Sequence, residues 1–207
     1  MSKLIIFDFD GVLFDSFDQT YEINRLAAEL VGKVLSMQAY KDILNGSFHV
    51  NFSKFLDLDE LKLKKVLDFK YKIFNEYYVK SKLFGFCSDM LLKLYEKDVQ
   101  MAIVSAANEN SIKNVLKIHD IFDKFFFIAG MNKTGKVENI DKCIQKSKAS
   151  KSETFFITDT VGDIKDAKKA DVRVVAVTWG FHGVDDLRKE NPDFIIDDPS
   201  KIFGILR

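Results

Sequence analysis

The sequence predicts an α/β fold: a doubly wound parallel sheet with an inserted all-helical cap domain. Two observations predict it. From about residue 84 onward, short apolar runs alternate with amphipathic segments, which is the pattern of a parallel sheet covered by helices on both faces. Residues 16–83 instead carry apolar side chains at three- and four-residue spacing throughout, which predicts helices and no strand.

The predicted strands are short runs rich in Val, Ile and Phe, the composition of buried strands. In chain order they are Leu4–Phe7, Met101–Val104, Phe125–Ala129, Thr154–Thr158, Val172–Val177 and Asp193–Ile196. The helices between them are expected at 86–97, 109–118, 136–148, 163–170, 184–190 and 199–206. Because Leu4–Phe7 is apolar on both faces, we expect it near the centre of this Rossmann-like sheet.

The inserted segment is expected to hold five helices of its own. They are Tyr21–Leu30, Met37–Leu44, Asn51–Phe55, Glu60–Leu67 and Lys70–Tyr78. The chain therefore divides into a Rossmann-like core, residues 1–15 and 84–207, and a helical cap, residues 16–83.

The composition is that of an ordinary globular protein. Lys and Arg number 31, as do Asp and Glu, so the net charge is zero and gives no general attraction to nucleic acid or anionic membranes. Cys87 and Cys143 are too few for a disulfide framework, and no span of about 18 apolar residues suggests a transmembrane helix. We expect a cytoplasmic protein, a monomer or homodimer, without nucleic-acid or membrane partners.

The first apolar run ends in two aspartates, Asp8 and Asp10, followed at once by Gly11. Side chains at positions i and i+2 of an extended chain project to the same side, so these two carboxylates converge. Carboxylates this close repel each other, and a fold that keeps them neutralises them with a cation or uses one as an acid. The pair therefore predicts chemistry rather than packing.

Acidic residues also follow a later strand. Asp159 and Asp163 stand four residues apart at a strand-to-helix turn, where parallel sheets bind ligands. Alone, either aspartate is explained as a helix cap. Together with Asp8, they suit an all-oxygen site for Mg²⁺.

Two residues at the same edge of the sheet suit an anion. Ser105 follows a predicted strand and can donate its hydroxyl, helped by backbone N–H groups of the following turn and of the helix that begins near Asn108. Lys136 opens an amphipathic helix, with Lys133 as the competing lysine. A turn serine and a surface lysine are the ordinary alternatives.

In this order, the motifs resemble those of the haloacid dehalogenase-like hydrolase superfamily, over nearly the whole chain. Residues 8–16, DFDGVLFDS, are similar to its first motif, Ser105 to the second, Lys136 to the third, and Asp159 with Asp163 to the acidic fourth. Residues 175–183, VAVTWGFHG, are similar to the phosphoglycolate phosphatase branch.

Two positions depart from the family pattern. Val137 follows the third-motif lysine, where the family usually has proline, and Thr158 stands where the fourth motif usually begins with glycine. Neither departure removes a charged group that the family's chemistry needs.

The resemblance implies a role for each motif residue. Asp8 is implied as the nucleophile that forms an aspartyl-phosphate, and Asp10 as the acid and base that moves the proton. Mg²⁺ is implied at Asp8, the Asp10 backbone carbonyl, Asp159 and Asp163. Ser105 and Lys136 are implied to bind the remaining phosphoryl oxygens.

The expected function is that of a Mg²⁺-dependent phosphatase acting on a small phosphorylated metabolite. Dehalogenase members lack an acid at the Asp10 position, and phosphonatases replace it, so Asp10 favours phosphate esters. A phosphomutase of the β-phosphoglucomutase type, which would use the same residues, and a non-catalytic binding or regulatory protein are the alternatives. We expect specificity to come from the cap, at Arg25, Asn45, Ser47 and His49; Arg25 and His49 would suit a second anionic group.

Overall fold

The computed structural model describes residues 3–78, 80, 82–130 and 135–206. Its centre is a six-stranded parallel sheet with strand order β5-β4-β1-β6-β7-β8 and helices on both faces, so the predicted fold class is confirmed. Lys133 lies outside the described residues. None of the helices described is long and apolar enough to cross a membrane.

The helices and strands have the following bounds. In the first part of the chain they are β1 Leu4–Phe7, β2 Phe14–Asp15, α1 Phe17–Glu29, α2 Met37–Ile43, α3 Phe48–Leu56, α4 Glu60–Tyr78 and β3 Lys82–Leu83. In the second part they are α5 Cys87–Glu96, β4 Gln100–Val104, α6 Glu109–Ile118, β5 Phe127–Ala129, α7 Gly135–Lys146, β6 Thr154–Thr158, α8 Val161–Lys169, β7 Arg173–Val177, α9 Val184–Lys189, β8 Phe194–Ile196 and α10 Ile202–Ile205.

Strand β1 lies inside the sheet because both of its faces are apolar. Ile5 and Phe7 belong to one hydrophobic cluster, and Leu4 and Ile6 to a second cluster on the opposite face. All four side chains are fully buried. Burial on both faces is expected of a strand covered by helices on each side.

The register of the sheet brings three strand ends together. Phe7 of β1 pairs with Ile103 of β4 and with Ile157 of β6, so the residues that follow these three strands meet at one edge. The Asp8 N–H donates to the Ile157 carbonyl at 2.9 Å, which carries the alignment one residue past β1. This edge is the place where open parallel sheets bind ligands.

Helices α1 to α4, which we call the helical insert, contribute a third hydrophobic cluster. Its buried members include Ala27, Tyr40, Phe52, Leu56 and Val66. The helical character predicted for this segment is confirmed, but α4 is one continuous helix where two were expected. No glycine or proline stands between Leu67 and Lys70 to end the first of them.

A short strand pair that the sequence analysis did not predict lies at the base of the insert. Phe14–Asp15 pairs antiparallel with Lys82–Leu83, and the Phe84 N–H donates to the Leu13 carbonyl at 3.0 Å. The expectation of no strand in residues 16–83 is therefore wrong at its last two residues. A strand of two residues is too short to show a period in the sequence.

Candidate active site

The carboxyl ends of β1, β4 and β6 line one side of a cavity of about 250 Å³, and the helical insert lines the other. The sequence-predicted residues in its lining are Asp8, Asp10, Ser105, Lys136, Asp163, Ser47 and His49. The volume lies just below the range of about 300–1,000 Å³ typical of sites for drug-sized ligands, so it suits a small metabolite.

Asp8 is the first residue after β1 and is buried at the floor of the cavity. Its Oδ1 accepts a hydrogen bond from the Phe9 N–H at 2.8 Å and lies 3.2 Å from Lys136 Nζ. Burial raises the pKa of Asp8 well above its ordinary value, and the charge of Asp163 raises it further, against the opposing effect of Lys136. The ionised form of the buried Asp8 is therefore stabilised by a cationic partner.

Lys136 supplies that partner from the first turn of α7. Its Nζ lies 2.6 Å from Asp163 Oδ2 as well as beside Asp8, so one ammonium bridges the ends of β1 and the start of α8. Burial disfavours the charged lysine, but the two carboxylates outweigh it and raise the pKa of Lys136 above its ordinary value. Lys136 is therefore cationic at neutral pH.

Asp163 lies in the first turn of α8 and is also buried. The Thr158 hydroxyl donates to its Oδ2 at 3.0 Å. Burial alone would raise the pKa of Asp163, yet Lys136 and this hydrogen bonding hold it below its ordinary value. Thr158, where the family motif usually has glycine, thus gives a hydrogen bond to the acidic motif.

Asp159, directly after β6, has an unusual environment. Its Oδ2 accepts from the Phe181 N–H at 2.7 Å, while its Oδ1 is buried with no hydrogen-bond partner in the part of the chain described. Burial raises the pKa of Asp159 to about 7. Gly11 and Gly180 pack so closely on this carboxylate that a Cβ on either would overlap it, and Gly11 also has φ +75°.

These residues fit a hard cation by their donor chemistry. An unpaired buried carboxylate oxygen at Asp159, near the acidic Asp8 and Asp163, is the kind of ligand that Mg²⁺ prefers. Within the described residues, 3–78, 80, 82–130 and 135–206, no three acidic, His or Cys side chains are already gathered as a ligand set. Lys136 instead lies between Asp8 and Asp163 and carries the compensating charge.

Asp10 lies two residues beyond Asp8, is less buried, and lines the same cavity. The Ser16 hydroxyl donates to Asp10 Oδ1 at 2.5 Å and orients the carboxylate. A carboxyl group that lines the cavity and is oriented by a neighbouring hydroxyl is suited to exchange a proton with a bound molecule.

Ser105 follows β4 and is buried at the cavity wall. Its Oγ accepts from the Ala107 N–H at 3.2 Å, which leaves the hydroxyl proton available to the cavity. The Asn108 side chain accepts from the N–H groups of Asn110 and Ser111, so these two groups are already engaged at the start of α6. The help expected from the remaining N–H groups of the turn and the helix start stays a prediction.

The four residues expected to give specificity fall into two groups. Ser47 and His49, at the start of α3, line the cavity. Asn45 is exposed, and its backbone carbonyl accepts from Lys165 Nζ at 3.3 Å. Arg25 is placed differently from the expectation: it forms ion pairs with Glu22 at 2.7 Å and Glu29 at 3.1 Å on the surface of α1. Neither Asn45 nor Arg25 is among the described lining residues.

Several residues that sequence reasoning missed line the insert side of the cavity. They are Thr20, Asn24, Tyr40, Lys70 and Phe74. Each lies on a helix at an ordinary amphipathic spacing, so the sequence shows a helix face but not which face meets the sheet.

The insert is fastened to the sheet domain close to the acidic residues. The Gly162 N–H at the start of α8 donates to the Leu44 carbonyl at 3.1 Å, and a Cβ at Gly162 would lie 2.8 Å from the same oxygen. His182 Nδ1 accepts from the Val161 N–H at 2.9 Å, so its Nε2–H is left to donate to the Lys41 carbonyl 3.0 Å away. These contacts hold the insert over the cavity.

This chain is similar to known proteins over most of its length. A family model described as haloacid dehalogenase-like hydrolase matches residues 5–177. Pyrophosphatase PpaX of Listeria welshimeri is 30% identical over 119 residues, covering 55% of this chain and 54% of that protein. Phosphoglycolate phosphatase of Photobacterium profundum is 25% identical over 221 residues, covering 99% of this chain and 96% of that protein.

Solved structures show the same fold. A haloacid dehalogenase-like family hydrolase from Streptococcus pneumoniae superposes with a TM-score of 0.84 at 20% identity, covering 100% of this chain and 99% of that one. The matched residues 5–177 contain all four motifs on which the resemblance depends, which is thereby confirmed. This chain belongs to the haloacid dehalogenase-like hydrolase family.

Proposed function

We propose that this protein is a Mg²⁺-dependent phosphatase that hydrolyses a small phosphate monoester through an aspartyl-phosphate on Asp8. The observation that carries the proposal is the buried pairing of Asp8 with Lys136 at the floor of a small cavity, with Asp10 in the same lining. Nucleophile, cation and proton donor are thereby gathered where a phosphoryl group would bind.

The chemistry follows from these positions. An Asp8 oxygen attacks phosphorus, the bond from phosphorus to the leaving oxygen breaks, and Asp10 gives that oxygen a proton. Asp10 then takes a proton from water, which attacks phosphorus and releases inorganic phosphate and the Asp8 carboxylate. Lys136 and Ser105 bind the equatorial oxygens, where charge must be neutralised.

The metal would be held by Asp8, the Asp10 backbone carbonyl, Asp159 and Asp163. When bound, Mg²⁺ supplies charge neutralisation between a carboxylate nucleophile and an anionic phosphate. The unpaired Asp159 Oδ1 is the feature that favours this assignment. The helical insert acts as a cap that excludes water from the cavity.

The relatives support phosphoryl chemistry. Their names include a pyrophosphatase and a phosphoglycolate phosphatase, both of which transfer phosphoryl groups to water. We extend the substrate class accordingly to small phosphate esters or anhydrides, and place the protein in the cytoplasm, where such metabolites are abundant.

A phosphate-release screen tests the proposal. Purified protein with Mg²⁺ is assayed on phosphoglycolate, pyrophosphate, sugar phosphates and nucleotides, with and without a chelator. We expect release from at least one small substrate, lost on chelation and restored by Mg²⁺. Release that depends on an added sugar acceptor would indicate a phosphomutase, and no release from any compound would favour a binding protein.

A further inference from the structure

A second cation lines the cavity from the insert side. Lys70, in the middle of α4, has its ammonium 4.6 Å from the ring centroid of Phe48 and 5.0 Å from that of Phe52. Among the side chains described, no carboxylate lies within ion-pair distance of it. Two lysines nearer the start of the same helix differ: Lys62 pairs with Asp59 at 3.4 Å and Lys64 with Asp68 at 3.1 Å.

The environment of Lys70 is unfavourable for a lysine that has only a structural role. Burial lowers the pKa of Lys70 to about 8, and none of the carboxylates in the described part of the chain offsets that effect. The side chain remains charged at neutral pH, because about 8 is still above 7. An unpaired, partly buried ammonium that faces a cavity is suited to an anion that enters the cavity.

The two sides of the cavity offer separate groups for binding a substrate. Lys136 and Ser105 are attached to the sheet beside Asp8, whereas Lys70 belongs to the insert. The insert also contributes Ser47 and His49, at the start of α3, and Asn24 of α1 to the lining, and the buried Oδ1 of Asn24 has no partner in the described chain. A substrate whose phosphoryl group contacts Asp8 would direct the rest of its structure toward these groups.

We propose that Lys70 is a specificity-determining residue, which binds a second anionic group on the substrate, away from the phosphoryl group that is transferred. The inference rests on the proposed function and narrows it to small phosphate esters or anhydrides that carry two anionic groups. The second group is a carboxylate or a second phosphoryl group, since an ammonium point charge binds both. The aromatic rings beneath Lys70 hold the ammonium in place without neutralising it.

The experiment compares substrates that differ in their second group. Steady-state kcat and KM are measured with Mg²⁺ for phosphoglycolate, pyrophosphate and phenyl phosphate, which has no second charge. The variants are Lys70→Met, Lys70→Arg and, as the matched control, Lys72→Met. Lys72 is on the same helix but is exposed and absent from the cavity lining.

Lys70→Met should lower kcat/KM for one or both doubly anionic substrates by about 10- to 100-fold, mainly through KM, because a charge-assisted hydrogen bond is lost. Phenyl phosphate should change by less than about threefold, since it makes no such bond. Lys70→Arg should restore most of the loss, and Lys72→Met should resemble the wild type. Whether phosphoglycolate or pyrophosphate suffers the larger loss identifies the second group.

Equal losses on all three substrates, or no loss on any, would overturn the inference. Failure of the proposed function itself is recognised separately, because the wild-type protein would then release no phosphate. In that case the inference is tested by calorimetry, which measures the affinities of pyrophosphate and of inorganic phosphate for the wild-type protein and for Lys70→Met. Selective weakening of pyrophosphate binding supports it, and equal affinities contradict it.

Discussion

Replacing Lys70 by methionine should make the folded protein more stable at neutral pH, although it removes a contact with two aromatic rings. The reason is that folding places the Lys70 ammonium in a partly buried position, where no carboxylate of the described side chains pairs with it. Methionine has a similar length, no charge, and a sulfur that packs well on aromatic rings.

The size of the effect follows from the pKa. Lowering the Lys70 pKa from 10.5 to about 8 corresponds to at most about 3 kcal/mol of folding free energy. Solvent contact reduces this figure, and the lost cation–π contacts offset about 0.5–1 kcal/mol. We therefore expect Lys70→Met to raise the free energy of unfolding by about 1–2 kcal/mol at pH 7.

The lowered pKa of Lys70 also determines how the stability difference between Lys70→Met and the wild type changes with pH. Below pH 8 the lysine is protonated in both the folded and the unfolded state, so the full penalty is present. Between about 8 and 10.5 the unfolded state binds more protons, and the wild-type protein gains stability relative to the variant as pH rises. The advantage of Lys70→Met should thus shrink by more than half between pH 7 and about pH 9.5.

Urea unfolding of the wild type, Lys70→Met and Lys72→Met at these two pH values measures the difference. The Lys72→Met control should lie within about 0.5 kcal/mol of the wild type at both. Destabilisation of Lys70→Met at pH 7, or an advantage that does not diminish at the higher pH, would refute the account of an unpaired buried ammonium.

Three further predictions concern the rest of the site. Gly162→Ala places a methyl group 2.7–2.8 Å from the Gly46 and Leu44 carbonyl oxygens, which pushes the helical insert away from α8. We therefore expect kcat/KM to fall about tenfold while the circular dichroism spectrum is unchanged. Full activity would mean that catalysis does not need this contact between the insert and α8. Asp10→Asn should lower kcat by about 10²–10⁴-fold. The loss should be larger for phenyl phosphate than for p-nitrophenyl phosphate, because the p-nitrophenolate leaving group needs less protonation. Equal losses on both substrates would show that Asp10 does not protonate the leaving group. Mg²⁺ should raise the melting temperature of the wild type but not of Asp159→Ala, and an equal rise in both would argue against Asp159 as a ligand.

The sheet and its catalytic edge could be predicted because the sequence is locally unambiguous there. Leu4–Phe7 is apolar on both faces and ends in Asp8, so both the position of the strand and the polar group at its end are visible. The order of the other strands then places Ser105, Lys136 and Asp163 at the same cavity. Asp159 could be predicted as the residue after β6, but it is buried behind the described lining of the cavity, and the close packing of Gly11 and Gly180 on its carboxylate depends on contacts distant in sequence.

The cap side of the site could be predicted only in part. Arg25 looked suited to an anion, but Glu22 and Glu29 lie one helical turn away and neutralise it. Lys70 lies on a helix with many lysines, and nothing in its spacing distinguishes it from Lys64 or Lys72. Which face of an amphipathic helix meets a cavity is decided by packing between segments that are distant in the sequence, and contacts such as the hydrogen bond from Gly162 to Leu44 are not visible in the sequence.

The central claim is that Asp8 is the nucleophile, and the rate of phosphate release by Asp8→Asn tests it most directly. The matched control is Asp15→Asn, the same change at an exposed position of β2. On the best substrate of the wild type, Asp8→Asn should lose about 10⁴-fold or more in kcat while it unfolds at the same or a higher temperature, and Asp15→Asn should keep wild-type activity. Near-wild-type release by folded Asp8→Asn would contradict the aspartyl-phosphate mechanism.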